Sequence, residues 1–212
     1  YVDDDFCAKA FPGDHVQVVA AQDTRRDESS PHASWKELLQ HLDQAYEFDR
    51  VVYLSNYLTP HTDTVGDIET LRSVFRACAG RRVQLLYVAG PAGAEGAADA
   101  AGRTGKGIIA RAANDLCRYY AAREGVQTKI LRVPFLYTAS AALEDPFLAP
   151  LFDACSTGSV ALQGAQDAAF PLLCAEELAV LVRRIFDSWD GNFETLDVAD
   201  TFHHASGEVG EA

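Results

Sequence analysis

The sequence predicts an α/β fold, in which a Rossmann-like doubly wound parallel sheet is accompanied by a small C-terminal lobe. Short apolar runs, such as VQLLYV at 83–88, have the composition of strands that are buried on both faces. Segments of roughly 10 to 18 residues with apolar residues at helical spacing lie between these runs. Buried strands that alternate with helices of this length form a parallel sheet with helices on both faces.

The first half of the chain contains three of the predicted strands. HVQVVAA at 15–21 follows a Pro12-Gly13 turn signal, and Ser34 with Glu37 forms a capping box that begins a helix. The elements predicted here are, in chain order, a helix end over 5–11, a strand over 16–21, a helix over 34–46, a strand over 51–55, a helix over 64–80 and a strand over 83–88.

The second half continues the alternation. Ile109, Ala113 and Leu116 share one helix face, and Glu124-Gly125 provides the stop, with Gly at the usual position just past a helix end. The elements predicted here are, in chain order, a helix over 107–124, a strand over 128–135, a short helix over 147–153, a short strand over 160–162, a helix over 176–186 and a strand over 193–198.

Length, charge and cysteine content narrow the class of protein. At 212 residues, the chain is predicted to form one domain over 1–198, with the small lobe from about residue 138, and a polar tail over 199–212. A net charge of −13 argues against nucleic acid and anionic membrane surfaces as partners, because their phosphates would be repelled. The five cysteines form no C-x-x-C pair, which indicates reduced thiols and a cytoplasmic location.

The window 106–140 resembles a known family. Its helix and Gly-turn are followed by a buried strand that ends with Arg132, Pro134, Phe135 and Tyr137. This arrangement resembles the extended branch of the short-chain dehydrogenase/reductase superfamily, the NAD-dependent epimerase/dehydratase proteins.

Other segments extend the resemblance to roughly residues 6–198. YLSN at 53–56 stands where the family has a strand ending in H-L-A-A, and Glu177-Leu178-Ala179 stands for its Asp-Leu-Ala. The resemblance implies that the domain binds NAD or NADP and acts on a small molecule such as a nucleotide sugar.

The resemblance also implies how the cofactor lies across the C-terminal ends of the strands. At the adenosine end, Asp23 would bind the ribose hydroxyls, whereas Arg25 and Arg26 would instead meet a 2′-phosphate. A plain polar loop is the alternative for these three residues.

The glycine fingerprint that cradles the pyrophosphate is absent from residues 1–15. The sequence begins at Tyr1 and contains no Met, so we expect further residues ahead of it.

The remaining cofactor contacts are expected directly after the strands. Ser55 and Asn56 would lie near the diphosphate and ribose, and Ala89, Gly90 and Pro134 would lie near the nicotinamide. No cluster of metal-ligating residues is visible in the sequence, so no metal is expected.

The family's proton-transfer groups are replaced in this chain. The family uses a Ser or Thr after a strand and a Tyr whose pKa is lowered by a Lys four residues further on. The hydroxyl positions correspond to Ala89 and Gly90, the Tyr position to Lys106 and the Lys position to Ala110. Lys106 is therefore the candidate catalytic group of a degenerate active site, and a solvated Lys at a loop end is the alternative.

Helices 64–80 and 107–124 are expected to pair with their copies in a homodimer, as the resemblance implies. Both carry apolar or aromatic residues on more than one face, such as Val74 beside Phe75 and Tyr119 beside Tyr120. The alternative is that these extra residues only pack on the sheet.

Two functions remain open from the sequence. One is a divergent NAD-dependent epimerase/dehydratase-like enzyme that acts on a nucleotide-sugar-like substrate. The other is a non-catalytic relative that serves as a binding, regulatory or structural subunit. A glycine fingerprint ahead of Tyr1 would favour cofactor binding, and its absence would favour the second function.

Overall fold

The computed structural model describes residues 4–14, 16, 48–55, 64–90, 105–133, 135–137, 169–170, 172–198 and 204–205. The elements within these ranges are α1 (Asp4–Ala10), β1 (Arg50–Leu54), α2 (Thr64–Cys78), β2 (Gln84–Ala89), α3 (Gly105–Arg123), β3 (Gln127–Arg132), β4 (Phe135–Tyr137), β5 (Ala169–Phe170), β6 (Leu172–Cys174), α4 (Ala175–Asp187), β7 (Phe193–Asp197) and β8 (His204–Ala205).

The main sheet consists of four parallel strands in the order β1-β2-β3-β7. Its register places Tyr53 opposite Tyr87, and Tyr87 opposite Ile130. The prediction of a Rossmann-like parallel sheet is confirmed, and three of the four strands expected to be neighbours are neighbours. The fourth, predicted over 16–21, lies outside the described residues except for Val16.

Helices cover both faces of this sheet, because strand side chains alternate between two cores. Leu86 and Val88 of β2 pack with α1 and α4, whereas Leu85 and Tyr87 pack with α2 and α3. All four side chains are buried, which explains why β2 has an unbroken apolar sequence.

Two glycines end the helices as the sequence predicts. Gly80 follows α2 and Gly125 follows α3, and both have positive φ, of 74° and 68°. The amide of Val126 donates to the Tyr120 carbonyl, so the chain turns directly from α3 into β3.

The strand predicted over 128–135 is divided in the structure. β3 ends at Arg132, and the next three-residue strand, β4, pairs in parallel with β6 instead of continuing the main sheet. Pro134 separates the two strands, and proline has no backbone N–H to donate to a ladder.

Other predicted elements have mixed outcomes. The helices over 5–11 and 176–186 and the strand over 193–198 are confirmed as α1, α4 and β7. The elements predicted over 34–46, 147–153 and 160–162 lie outside the described residues. Within the predicted polar tail, β8 pairs in an antiparallel manner with β5. Among the described helices, none has the length and apolarity that crossing a bilayer requires.

Candidate functional site

The candidate site lies at the carboxyl edge, the end of the main sheet where β1, β2, β3 and β7 finish. The β2–β3 ladder pairs Ala89 with Arg132, and the β3–β7 ladder pairs Arg132 with Asp197. Ser55 directly follows β1, and its amide donates to the Val88 carbonyl at 3.0 Å. Ser55, Ala89, Arg132 and Asp197 therefore form one transverse row, which we call the edge row.

Three of the residues predicted to bind the cofactor meet at this edge. Ser55 and Ala89 belong to the edge row, and Gly90 follows Ala89 directly. The small side chains at Ala89 and Gly90 leave the backbone accessible to a close approach by a ligand. The other predicted contacts lie outside the described residues, namely Asp23, Arg25, Arg26, Asn56 and Pro134.

Ser55 has an unusual environment for a hydroxyl. It is only 2% exposed, and its Oγ has no hydrogen-bond partner among the described residues. A buried hydroxyl without a partner typically costs about 1–3 kcal/mol. Groups of this kind are rare in folded proteins, so the Ser55 hydroxyl is a reason to place a polar ligand beside the edge row.

Lys106 lies in the first turn of α3. Because α3 connects two parallel strands, it runs from the carboxyl edge back to the amino end, and its first turn is near the edge. The positions of Lys106, Ala110 and Ala113 share one helix face, and Ala113 is fully buried in the core with β2 and β3. Ala110 carries no ionisable group, so it cannot lower the pKa of a neighbour as the family's Lys does.

Arg132 was not identified as a site residue from the sequence, although it ends the strand that carries the resemblance. Its guanidinium Nη1 lies 3.4 Å from Asp197 Oδ1, and the two side chains are 38% and 66% exposed. This ion pair is long and open to water. The signal that could have found it is the position of a cation in the last residue of a buried strand.

A second polar contact lies one step below the edge row, on the side of α2 and α3. The Tyr53 hydroxyl donates to Asp67 Oδ1 at 2.5 Å and contacts the Asp67 carbonyl at 3.1 Å. Burial and the neighbouring Asp67 carboxylate raise the pKa of the Tyr53 phenol above its usual range. The phenol therefore stays a neutral donor that fixes the first turn of α2 to β1. Sequence reasoning missed this contact because the two residues belong to different elements.

Three of the four thiols in the described part of the chain are poor nucleophiles. Burial raises the pKa of Cys78 and of Cys117 to about 12. Burial and a hydrogen bond to the Glu176 carboxylate also raise the pKa of Cys174. Protonated thiols neither attack carbonyls nor bind metals well. No group of three or more metal-ligating side chains occurs among the described residues.

No protein-family model matches the chain, and no curated protein sequence matches it. Solved structures do match. One is the UDP-N-acetylglucosamine 4-epimerase from Bacillus cereus, at 15% identity and a TM-score of 0.73, with 96% of this chain and 74% of that chain covered.

Two further structures are similar. MoeE5, in complex with UDP-glucose and NAD, has 15% identity and a TM-score of 0.70, with 91% of this chain and 71% of that chain covered. The Bordetella bronchiseptica enzyme WbmF, in complex with NADH, has 13% identity and a TM-score of 0.62, with 81% and 58% covered. At these identities the similarity concerns the fold. The resemblance found in the window 106–140 is thus confirmed at the level of the fold, which this chain shares with these three proteins.

Proposed function

We propose that this chain is a divergent NAD-dependent epimerase/dehydratase-like protein that binds NAD or NADP and acts on a nucleotide-sugar-like small molecule. One observation carries the proposal. The buried Ser55 hydroxyl, which has no partner among the described residues, lies at the carboxyl edge of the sheet, where folds of this kind bind dinucleotides.

The cofactor would lie across the carboxyl edge. Ser55 would donate its hydroxyl to the diphosphate-ribose part, and Ala89 with Gly90 would leave room for the nicotinamide. Asn56 follows β1 and Pro134 follows β3 in the sequence, and both are proposed as further contacts, with Asp23 at the adenosine end. The nicotinamide, when bound, supplies hydride transfer.

Proton transfer is the weak point of the proposed active site. Ala89, Gly90 and Ala110 occupy the positions of three of the family's groups, and none of them ionises. Lys106 is the remaining candidate for moving a proton. These replacements specifically favour the second candidate function, a non-catalytic relative that binds ligand and acts as a regulatory or structural subunit.

The proposed assembly is a homodimer through helices 64–80 and 107–124. Ile108 and Tyr119 are 52% and 53% exposed, and they share the outer face of α3 because eleven residues make three helical turns. Asp115 lies between them on that face, and Arg76 is exposed on α2. Asp115 of one copy could therefore pair with Arg76 of the other. A Tyr119→Asp variant that stays a dimer in sedimentation at tens of micromolar would contradict this interface.

We also propose that residues 1–198 form a single domain with a lobe from about 138, and that the protein works in the cytoplasm. The four described cysteines are free thiols, which supports a reducing compartment. Limited proteolysis that separates stable fragments within 1–198 would contradict a single domain.

The central test is titration of the full-length protein with NAD(H) and NADP(H). We expect binding below millimolar concentration, and Ser55→Ala should weaken it about three- to tenfold, the effect of one hydrogen bond. Ser73→Ala is the matched control, because the Ser73 hydroxyl lies on α2 and donates to the Glu69 carbonyl. Absence of binding at millimolar concentration would reject the proposal. Binding without turnover of any UDP-sugar would select the non-catalytic candidate.

A further inference from the structure

The edge row contains a cation that the proposed cofactor contacts do not use. Arg132 is the last residue of β3, and the backbone ladder continues past it through hydrogen bonds from Val133 to Ala89 and from Val198 to Arg132. The register places Arg132 beside Ala89, whose side chain packs on the α2 and α3 side of the sheet. Arg132 is therefore at the same edge and on the same side as the small residues of the candidate site.

The contact that Arg132 makes with Asp197 is weak. One guanidinium nitrogen and one carboxylate oxygen lie 3.4 Å apart, and both side chains are more than one third exposed. Exposed ion pairs of this kind contribute little to stability, because water screens them. A guanidinium has five N–H donors arranged as a fork, and the fork matches two oxygens of a phosphate or carboxylate.

The charge of the whole chain makes a cation at this edge informative. The chain carries a net charge of −13, so an anionic ligand meets general repulsion and needs a local cation to hold it. Ser55, on the same row, independently points to a polar ligand, because it is buried and has no hydrogen-bond partner among the described residues. The two residues are two strand spacings apart, which is about 10 Å.

We propose that Arg132 is an anion-binding residue of the carboxyl edge and that Asp197 is its partner only while no ligand is bound. The ligand is an elongated polar molecule with a phosphate or carboxylate group at Arg132 and a hydrogen-bonding group at Ser55. On binding, the ligand anion replaces the Asp197 carboxylate at the guanidinium. This inference deepens the proposed function, because it assigns the anion-recognition residue of the same site.

The first experiment measures binding of inorganic pyrophosphate to the full-length protein by calorimetry at constant ionic strength. Arg132→Gln should weaken the affinity about tenfold or more, since a charge-assisted bidentate contact is lost. Asp197→Asn should have the opposite effect and tighten it about two- to fivefold, because the competing carboxylate is gone. If the ion pair were purely structural, both substitutions would change the affinity for pyrophosphate in the same direction.

Controls separate this local contact from general charge effects. Arg118→Gln removes the same charge from an arginine whose guanidinium lies over the Phe193 ring, away from the edge row, and should leave the affinity within about twofold. Arg132→Lys keeps the charge without the fork and should give an intermediate affinity, and it serves if Arg132→Gln does not fold. Wild-type protein that fails to bind pyrophosphate at millimolar concentration would overturn the inference. Equal binding by wild type and Arg132→Gln would do the same.

The second experiment identifies the source of the anion with NAD, UDP-glucose and UDP-glucuronate. If Arg132→Gln loses affinity for NAD, the group is a cofactor phosphate. If it loses affinity for both UDP-sugars equally, the group is the substrate diphosphate, and if only for UDP-glucuronate, it is a sugar carboxylate. Pyrophosphate binding that depends on Arg132, without binding of these three nucleotides or of NADP, would retain the anion site and reject the proposed function.

Discussion

The two ends of the β3–β7 ladder carry the same kind of pair in different surroundings. Towards the amino end, the Lys129 side chain is 6% exposed, and its Nζ lies 2.6 Å from Glu194 and 3.0 Å from Asp190. At the carboxyl edge, the Arg132 side chain is 38% exposed and lies 3.4 Å from Asp197. The chain thus encloses the Lys129 ammonium at one end, although its two carboxylate partners reach solvent, and exposes both members of the pair at the other end.

Aromatic rings complete the closed end. The Lys129 ammonium lies 5.3 Å from the centre of the Trp189 ring, which stacks on Phe186 at 5.4 Å. The Arg50 guanidinium lies 5.5 Å from the centre of the other ring of this stack, Phe186. Phe11 packs against Phe186 with the ring centres 5.8 Å apart. These contacts join the end of α4 to β1 and β3, so we call them the aromatic clamp.

The difference indicates a division of labour along the strands. The amino end combines buried rings with charge-assisted hydrogen bonds, which are the stronger contacts of the two ends. The carboxyl edge has small residues, an open ion pair and a buried hydroxyl without a partner among the described residues, while the amino end has one such polar atom, Trp189 Nε1. Substitutions at the amino end should therefore change stability, and substitutions at the carboxyl edge should change ligand binding.

The largest effect is expected for Phe186→Ala, which removes the central ring of the aromatic clamp. Phe186 is 4% exposed, and truncation of a buried Phe typically lowers the free energy of unfolding by about 3–5 kcal/mol. Chemical denaturation measures the change. Val180→Ala on the same helix is the control, because Val180 is 44% exposed and its loss should cost less than about 0.5 kcal/mol. A loss below about 1 kcal/mol for Phe186→Ala would contradict the clamp.

A smaller effect should distinguish the two charge pairs directly. Glu194→Ala removes an acceptor from the buried Lys129 ammonium and should lower the free energy of unfolding by about 1–3 kcal/mol. Asp197→Asn at the carboxyl edge should change it by less than about 0.5 kcal/mol, because both side chains of the Arg132–Asp197 pair face water. Equal losses in the two variants would remove the contrast between the ends.

This contrast could not be predicted from the sequence, whereas the strands could. β1 and β2 were predicted from continuous apolar runs, and β7 from its alternation of apolar and polar residues, each to within one residue at each end. The run of β3 contains Lys129, and its partners Asp190 and Glu194 are 61 and 65 residues away. Only the crossover through α4 brings them together, and no local pattern encodes that pairing.

The candidate site was predictable to a similar extent. Ser55, Ala89 and Gly90 could be placed because ligands of such folds bind where strands end, and strand ends are visible in the sequence. The burial of Ser55 and the Arg132–Asp197 pair depend on the packing of neighbouring strands. The cofactor-binding roles of Ser55, Ala89 and Gly90 stay predictions, as do the roles of Asp23, Asn56, Pro134 and Lys106.

One contribution to the acid response should also come from the amino end. Hydrogen bonding and charge attraction from Lys129 lower the pKa of Asp190 below its usual 3.8. A carboxylate whose pKa is lowered in the folded state stabilises that state above the unfolded pKa, and the stabilisation is lost as the pH falls through the lowered value. Asp190→Asn should therefore reduce the fall in stability below about pH 4.

Lys129→Met tests the cause of this acid response. Lys129→Met removes the contacts with both Asp190 and Glu194, so it should reduce the acid dependence at least as much as Asp190→Asn, and adding Asp190→Asn to it should give no further reduction. Thermal unfolding between about pH 2 and 6 measures the effect. This range extends roughly two pH units on each side of the pKa of a free carboxyl group. Additive effects would assign the acid response to other groups.

The pKa of Lys129 itself is also shifted. Burial alone would lower this pKa, but the hydrogen bonds to Glu194 and Asp190 outweigh the effect of burial and raise the pKa above 10.5.

The smallest effects on stability are expected from two buried hydroxyls, those of Thr128 and Ser55. The sign of the change in the free energy of unfolding should differ between them. The Thr128 hydroxyl, towards the amino end of β3, donates to the Val126 carbonyl at 3.0 Å, whereas the Ser55 hydroxyl has no partner among the described residues. Thr128→Val keeps the shape but loses a hydrogen bond, so it should lower the free energy of unfolding by about 1 kcal/mol. Ser55→Ala removes an unpaired polar group and should leave this free energy unchanged or raise it by up to about 1 kcal/mol. A loss of stability in Ser55→Ala comparable to that in Thr128→Val would show that the Ser55 hydroxyl has a partner within the protein, and the argument for a ligand beside the edge row would then fail.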